Sequence, residues 1–100
     1  MCKVSVIIPN YNGKKYLKDC LDAMEDQSFR NFEVLLVDNG SEDGSREYVE
    51  KAYPWVRLIP LSENTGFCGA VNQGIKNSDS PFVILLNNDT IADKNFVEEL

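Results

Sequence analysis

Short segments that are apolar at nearly every position most restrict how this chain folds. Val4 to Ile8 runs Val-Ser-Val-Ile-Ile and stops at Pro9, Phe32 to Val37 is broken only by Glu33, and Phe82 to Leu86 has no polar member. Such strands have no face to give to water. Both faces must be covered, as happens in parallel sheets wrapped by crossover helices. Between these segments the apolar period becomes helical. Leu17, Cys20, Leu21 and Met24 recur at i, i+3, i+4 and i+7, Ser45 to Ala52 reads as a short helix ahead of Pro54, and Ala70, Val71, Gly74 and Ile75 mark a third. Trp55 to Leu61 reads as a less regular strand carrying Arg57 and Pro60. Asp93 is placed to cap a last helix with Phe96, Val97 and Leu100 on one side, an apolar face still without partners. The alternation gives an α/β, Rossmann-like three-layer sandwich. Its sheet is mostly parallel, of about four strands, with helices on both faces reached by right-handed crossovers.

A chain of 100 residues makes one domain. Its net charge is −6 and no basic patch is visible, which excludes a nucleic-acid binder that works by neutralising phosphates. Cys2, Cys20 and Cys68 form no CxxC pair, and the chain has no histidine, which excludes a zinc site. The three are expected as reduced thiols, two of them packed. No apolar run is long enough to cross a bilayer, and the amino terminus lacks the long apolar stretch of a signal peptide. The expected compartment is the cytoplasm, with the inner face of the membrane as the site of action of the full-length protein.

Three strands run into polar clusters: Pro9-Asn10-Tyr11-Asn12, Asp38-Asn39-Gly40-Ser41 and Asn87-Asn88-Asp89. In an open parallel sheet these carboxyl ends share one edge, and ligands bind in the crevice where strand order reverses. Any one cluster reads equally well as turn chemistry; three on one edge point to a site. Asp38, a short carboxylate ending a buried strand, is a candidate acceptor for hydrogen bonds from a nucleobase or ribose, or else a cap for the following turn. Read as an extended segment, Asn87 and Asp89 face one ligand while Asn88 faces away. A nucleoside diphosphate brings negative charge into an acidic protein, and no GxxxxGK[ST] loop meets it. A divalent cation, Mg²⁺ or Mn²⁺, held by Asp89 answers that need, the diphosphate supplying further oxygen ligands. Gly66 and Gly69 open the third helix, where free N–H groups and small residues permit close backbone approach of a ligand; read otherwise, Gly69 and Gly74 let the helix pack tightly on the sheet.

In this order and spacing, Val4-Ser5-Val6-Ile7-Ile8-Pro9-Asn10-Tyr11-Asn12, Val37-Asp38-Asn39-Gly40-Ser41-Glu42-Asp43-Gly44-Ser45, Asn64-Thr65-Gly66-Phe67 with Asn72 and Gly74, and Leu85-Leu86-Asn87-Asn88-Asp89-Thr90 resemble the amino-terminal half of a family 2 glycosyltransferase, especially its rhamnosyltransferase-like members. The resemblance covers nearly the whole chain. It implies a GT-A fold, truncated before the acceptor-binding half. It also implies inverting transfer of a sugar from a nucleoside diphosphate sugar, UDP- or dTDP-linked, to a saccharide or lipid-linked acceptor. By the same resemblance, Pro9, Tyr11 and Asp38 contact the nucleoside, with Asn12 in the same donor-binding segment. Asn64 and Gly66 lie near the base or ribose. Asn87 and Asp89 occupy the family's metal-binding DxD position, with an Asn in place of the first acid. No position matches the family's general base, so no catalytic residue is assigned. The 100 residues alone are expected to bind nucleotide weakly and to show no turnover.

Two other readings compete. A nucleotidyltransferase on a similar sheet needs a basic glycine-rich loop after the first strand, whereas Pro9 to Lys15 carries Lys14 and Lys15 with only Gly13. A non-catalytic nucleotide-binding or self-associating module would use the unpartnered Phe96 and Leu100 of the last helix.

Overall fold

The computed structural model describes residues 3–98. Four strands, β1 (Val4–Asn10), β2 (Phe32–Asn39), β3 (Arg57–Leu61) and β4 (Phe82–Leu85), form one parallel sheet in the order β3-β2-β1-β4. Between them run α1 (Lys14–Glu25), α2 (Ser45–Ala52) and α3 (Gly66–Asn77). The chain builds outward from β1 to β3, then crosses back to place β4 on the other side of β1. Strand order therefore reverses between β1 and β4.

Alternation along the two central strands divides the core between the sheet's faces. On one face Val6, Ile8, Val34 and Leu36 pack with Leu17, Cys20, Leu21 and Met24 of α1 and Val49 of α2. On the other, Ile7, Leu35 and Val37 pack with Ala70 of α3. Each large apolar side chain so buried contributes about 1.5–3 kcal/mol by leaving water. The third helix lies so close to β1 that a Cβ on Gly74 would sit 2.6 Å from Ile7 Cγ2. This is the expected three-layer α/β sandwich.

Coverage on both faces holds only for β1 and β2. Phe82 and Leu85 keep 58% and 45% of their surface exposed, because β4 is an edge strand and α3 packs mainly across β1 and β2. Strand limits also differ from expectation. The first strand continues through Pro9 to Asn10, and the second through Asp38 to Asn39. Proline is tolerated at position 9 for a geometric reason. Ile7 O accepts from Leu86 N at 2.9 Å, so odd-numbered residues of β1 turn their backbone groups toward β4, whose ladder ends at the Ile7–Leu85 pair. The missing N–H of Pro9 thus falls where no strand faces it. Trp55 and Val56 sit in a turn closed by Val56 N donating to Tyr53 O at 3.0 Å, which delays β3 to Arg57.

The expected last helix is a turn over residues 94–98 within the described residues. Asp93 Oδ1 accepts from Asn95 N at 3.0 Å, as a cap would. Phe96 and Val97 are not left unpartnered: both pack into the α1-side core. The buried Gln27 holds them there, donating to Asp93 O at 2.7 Å and accepting from Val97 N at 3.1 Å. Phe96 is half-buried and Val97 buried there, and Leu100 lies outside the described residues. Of the cysteines, Cys20 is buried and Cys68 exposed, both free, and Cys2 lies outside the described residues. No helix among the described residues is long and apolar enough to cross a membrane.

Candidate functional site

A cleft of about 390 Å³ opens at the carboxyl edge of the sheet, where the strand order reverses. Pro9, Asn10 and Tyr11 enter it from β1, Asn39 from β2, Asn64, Gly66 and Phe67 from the start of α3, and Asn87, Asn88 and Asp89 from the segment after β4. Six of the residues expected at a donor site therefore share one space: Pro9, Tyr11, Asn64, Gly66, Asn87 and Asp89. The rings of Tyr11 and Phe67 are 49% and 55% exposed, available to stack against a flat ligand.

Buried amides shape the wall behind this space. Asn10 donates from Nδ2 to Asp38 Oδ1 at 3.1 Å and accepts at Oδ1 from Asn88 Nδ2 at 2.8 Å. Asn39 uses its whole hydrogen-bonding capacity on the loop ahead of α3. Its Nδ2 donates to Asn64 Oδ1 (2.9 Å) and Gly66 O (3.0 Å), and its Oδ1 accepts from Thr65 N (2.8 Å) and Thr65 Oγ1 (3.0 Å). With its hydroxyl turned to Asn39, Thr65 makes no side-chain cap on α3. Of the first-turn amides of that helix, Gly66 N donates to Asn64 Oδ1 at 2.8 Å. Gly66 has φ +82° with open space around its Cβ position, so the backbone conformation and not crowding requires glycine there.

Asp38 and Asn12 stand apart from the other expected donor residues. The Asp38 side chain is completely buried behind the cleft, Oδ1 bonded to Asn10 and Oδ2 accepting from Ser41 N at 3.1 Å. Asn12, at φ 51°, accepts from Glu42 N at 2.8 Å, and its own N–H donates to Ser41 Oγ at 2.9 Å. Both residues brace the loop after β2, and neither lines the cleft. In the same loop Asp43 accepts from Lys14 N at 2.9 Å and Ser45 N at 3.0 Å, so one carboxylate caps the starts of α1 and α2. Burial works to raise the pKa of Asp43, but the Ser45 hydroxyl and these amides outweigh it and hold the carboxyl below its ordinary value.

Asn87 to Thr90 is a turn closed by Thr90 N donating to Asn87 O at 3.1 Å, not the extended segment expected. Asn87 and Asp89 are nonetheless exposed to the cleft, while Asn88 is half-buried with its amide drawn back to Asn10. Asp89 is the one carboxylate lining the cleft, and no lysine or arginine lines it. Lys14 and Lys15, the basic residues after β1, lie over the Tyr48 and Tyr16 rings at 5.8 and 5.0 Å and do not line the cleft. A larger groove of about 660 Å³ between α1 and residues 91–94 carries Asp19, Asp22, Glu25 and Asp26, a lining that repels an anionic nucleotide.

In an open parallel α/β sheet, a polar cleft at the order reversal is where ligands bind. The Glycosyl transferase family 2 model matches residues 5–100. The chain is similar to glycosyltransferase GlyA of Streptococcus pneumoniae, 33% identical over 98% of this chain and 14% of GlyA. It is similar to the crystal structure of S. aureus TarS 1–349, with a TM-score of 0.89 and 30% identity over 97% of this chain and 30% of that one. It also resembles the mannosyltransferase PcManGT of Pyrobaculum calidifontis, solved with GDP-Man and Mn²⁺, with a TM-score of 0.82 and 25% identity over 92% of this chain and 29% of that one. The chain belongs to glycosyl transferase family 2, and its fold is that of GT-A glycosyltransferases. It spans well under half the length of these relatives.

Proposed function

We propose that this chain captures the nucleoside diphosphate part of a sugar donor, as the donor-binding portion of an inverting glycosyltransferase. The observation that carries the reading is the convergence of three strand ends and one helix start on a single cleft. TarS has been solved with UDP and with UDP-GlcNAc, which supports a nucleotide in the corresponding place. Tyr11 stacks on the base beside Pro9. Asn64 and the Gly66 backbone approach the base or ribose, and Asp38 keeps the nucleoside wall in shape through Asn10 and Ser41.

The diphosphate meets the amides of α3 and a divalent cation, Mg²⁺ or Mn²⁺, at Asp89 with Asn87 beside it. The donor chemistry fits a hard cation: an exposed carboxylate and an exposed amide, with no cluster of three His, Cys, Asp or Glu residues among the described ones. One carboxylate holds such an ion weakly, so ion and nucleotide bind together. When bound, the ion offsets the charge that grows on the departing nucleoside diphosphate. The α3 amides act in the same sense, as fixed donors aimed at that charge. With Asp89 given to the cation, the base that deprotonates a saccharide or lipid-linked acceptor is a residue outside this cleft. The donor base is proposed to be uracil or thymine, and the compartment the cytoplasm.

The test is a thermal-shift panel of UDP, dTDP and GDP and their sugar forms, each with and without Mn²⁺. A ligand at about 100 times its dissociation constant adds roughly 2.7 kcal/mol. Asp89→Ala is expected to abolish the Mn²⁺-dependent part and spare the rest. No stabilisation by any of these compounds would remove the reading.

A further inference from the structure

Asp89 lies on a turn beyond the end of an edge strand, closed by Thr90 N donating to Asn87 O at 3.1 Å. We propose that Asn88, Asn10 and Gly13 form a positioning device that fixes this turn to the central strand, so that Asp89 meets a nucleotide-bound divalent cation at a set place. The proposal rests on the donor-capture reading and adds to it residues that do not themselves touch the ion.

Asn88 sits between the two exposed members of the turn, and its Nδ2 donates to Asn10 Oδ1 at 2.8 Å. Asn10 is almost wholly buried, and its own Nδ2 donates onward to Asp38 Oδ1 at 3.1 Å. The chain of donors thus has one direction, ending on a buried carboxylate that accepts only. That polarity fixes which way the Asn10 amide faces and leaves its oxygen for Asn88 alone. Gly13 supplies the room. A Cβ there would overlap Asn88 Nδ2 and fall 2.6 Å from Asn10 Oδ1. Gly13 has φ −105°, which any residue adopts, so its glycine character serves this junction and not the backbone. The metal side and the nucleoside side of the cleft are linked through Asn10. Asn88 serves the first alone, and Asn10 serves both.

The experiment uses the unaltered chain, Asn88→Ala, Gly13→Ala and Asn10→Ala, with UDP, dTDP or GDP, whichever the unaltered chain binds most tightly. Nucleotide affinity is measured by calorimetry without metal and with MnCl₂, and bound Mn²⁺ is read independently from loss of the free-ion EPR signal. Supporting groups around metal ligands change metal affinity about 10–100-fold when removed. Asn88→Ala and Gly13→Ala are therefore expected to lower Mn²⁺ binding in the presence of nucleotide by about tenfold or more, a clearly larger loss than that of metal-free nucleotide affinity. Asn10→Ala is expected to lower both. A merely structural role would move both affinities together in all variants. Asn88→Ala is half-buried and the mildest of the three, so it carries the test if the others fail to fold. An unchanged Mn²⁺ increment in Asn88→Ala, with the unaltered chain binding normally, overturns the positioning proposal alone. Failure of the unaltered chain to bind any of the three nucleotides overturns the proposal together with the donor-capture reading.

Discussion

Asn39→Ala tests how the cleft wall is built. Four hydrogen bonds converge on this one amide, at 2.8 to 3.0 Å, and all four go to residues 64–66. A protein hydrogen bond contributes about 0.5–1.5 kcal/mol net, so four sum to about 2–6 kcal/mol. Asn64, Thr65 and Gly66 are exposed and regain water when released, which places the expected loss at the low end, about 2–3 kcal/mol. Urea unfolding followed by the fluorescence of the single tryptophan, Trp55, measures it. With a slope of about 1–3 kcal/mol per molar urea, the midpoint falls by about 0.7–3 M. Asn39→Asp separates the two halves of the network. It keeps the two bonds accepted from Thr65 but sets a buried carboxylate oxygen against Asn64 Oδ1 and Gly66 O, so it is expected to cost at least as much as Asn39→Ala. A loss below about 0.5 kcal/mol for Asn39→Ala, the range of ordinary surface changes, would refute the reasoning.

Gly74→Ala places a methyl group 2.6 Å from Ile7 Cγ2, so the helix-propensity gain of about 1 kcal/mol is overrun by an overpacking cost of about 1–3 kcal/mol. In an Ile7→Ala background the same change is expected to stabilise, and urea midpoints of the four chains read the coupling. The folded pKa of Asp43 lies below its ordinary 3.8, so the folded chain binds fewer protons there. The stability that unaltered chain holds over Asp43→Asn is therefore complete above pH 4–5 and lost as pH falls through the folded pKa, a comparison made by thermal melts from about pH 7 to 3. Burial pushes the Cys20 thiol up to about 11, the nearby Asp89 adding to the effect, while Cys68 is exposed. Timed alkylation at neutral pH, read by mass spectrometry, is expected to label Cys68 quickly and Cys20 only on unfolding; rapid labelling of Cys20 in the folded chain would contradict the packing around it.

The parallel order of the sheet is legible in the sequence because runs such as Val34–Val37 have no polar face and helical periods separate them. Which strands lie in the centre is not legible. Phe82–Leu86 is as apolar as β1, and its edge position follows from the crossover that returns the chain past β1, a long-range outcome with no local sign. The same holds in the cleft. Tyr11 and Asp89 are found from the position of polar clusters after strands, and Asn64 from the family resemblance of the segment that opens the third helix. Asn10 and Asn39 escape because both strands run further than Pro9 and Asp38 suggest, turning expected turn residues into strand-end residues that face the site. The partners of Asn39 lie 25 to 27 residues away, beyond any local pattern. Asp38 shows the converse. A carboxylate at the end of a buried strand reads either as a ligand or as a cap for the following turn, and here both oxygens are engaged by the chain itself, one of them by Ser41 N of that turn.

The cleft presents five neutral asparagines, Asn10, Asn39, Asn64, Asn87 and Asn88, and a single acid, in a chain with no histidine at all. Histidine is the side chain whose ordinary ionisation falls near neutrality. On the proposed donor-capture reading, affinity at this surface should therefore stay level across the buffers from slightly acid to slightly alkaline. A bell-shaped binding profile in that interval would point to groups outside this cleft.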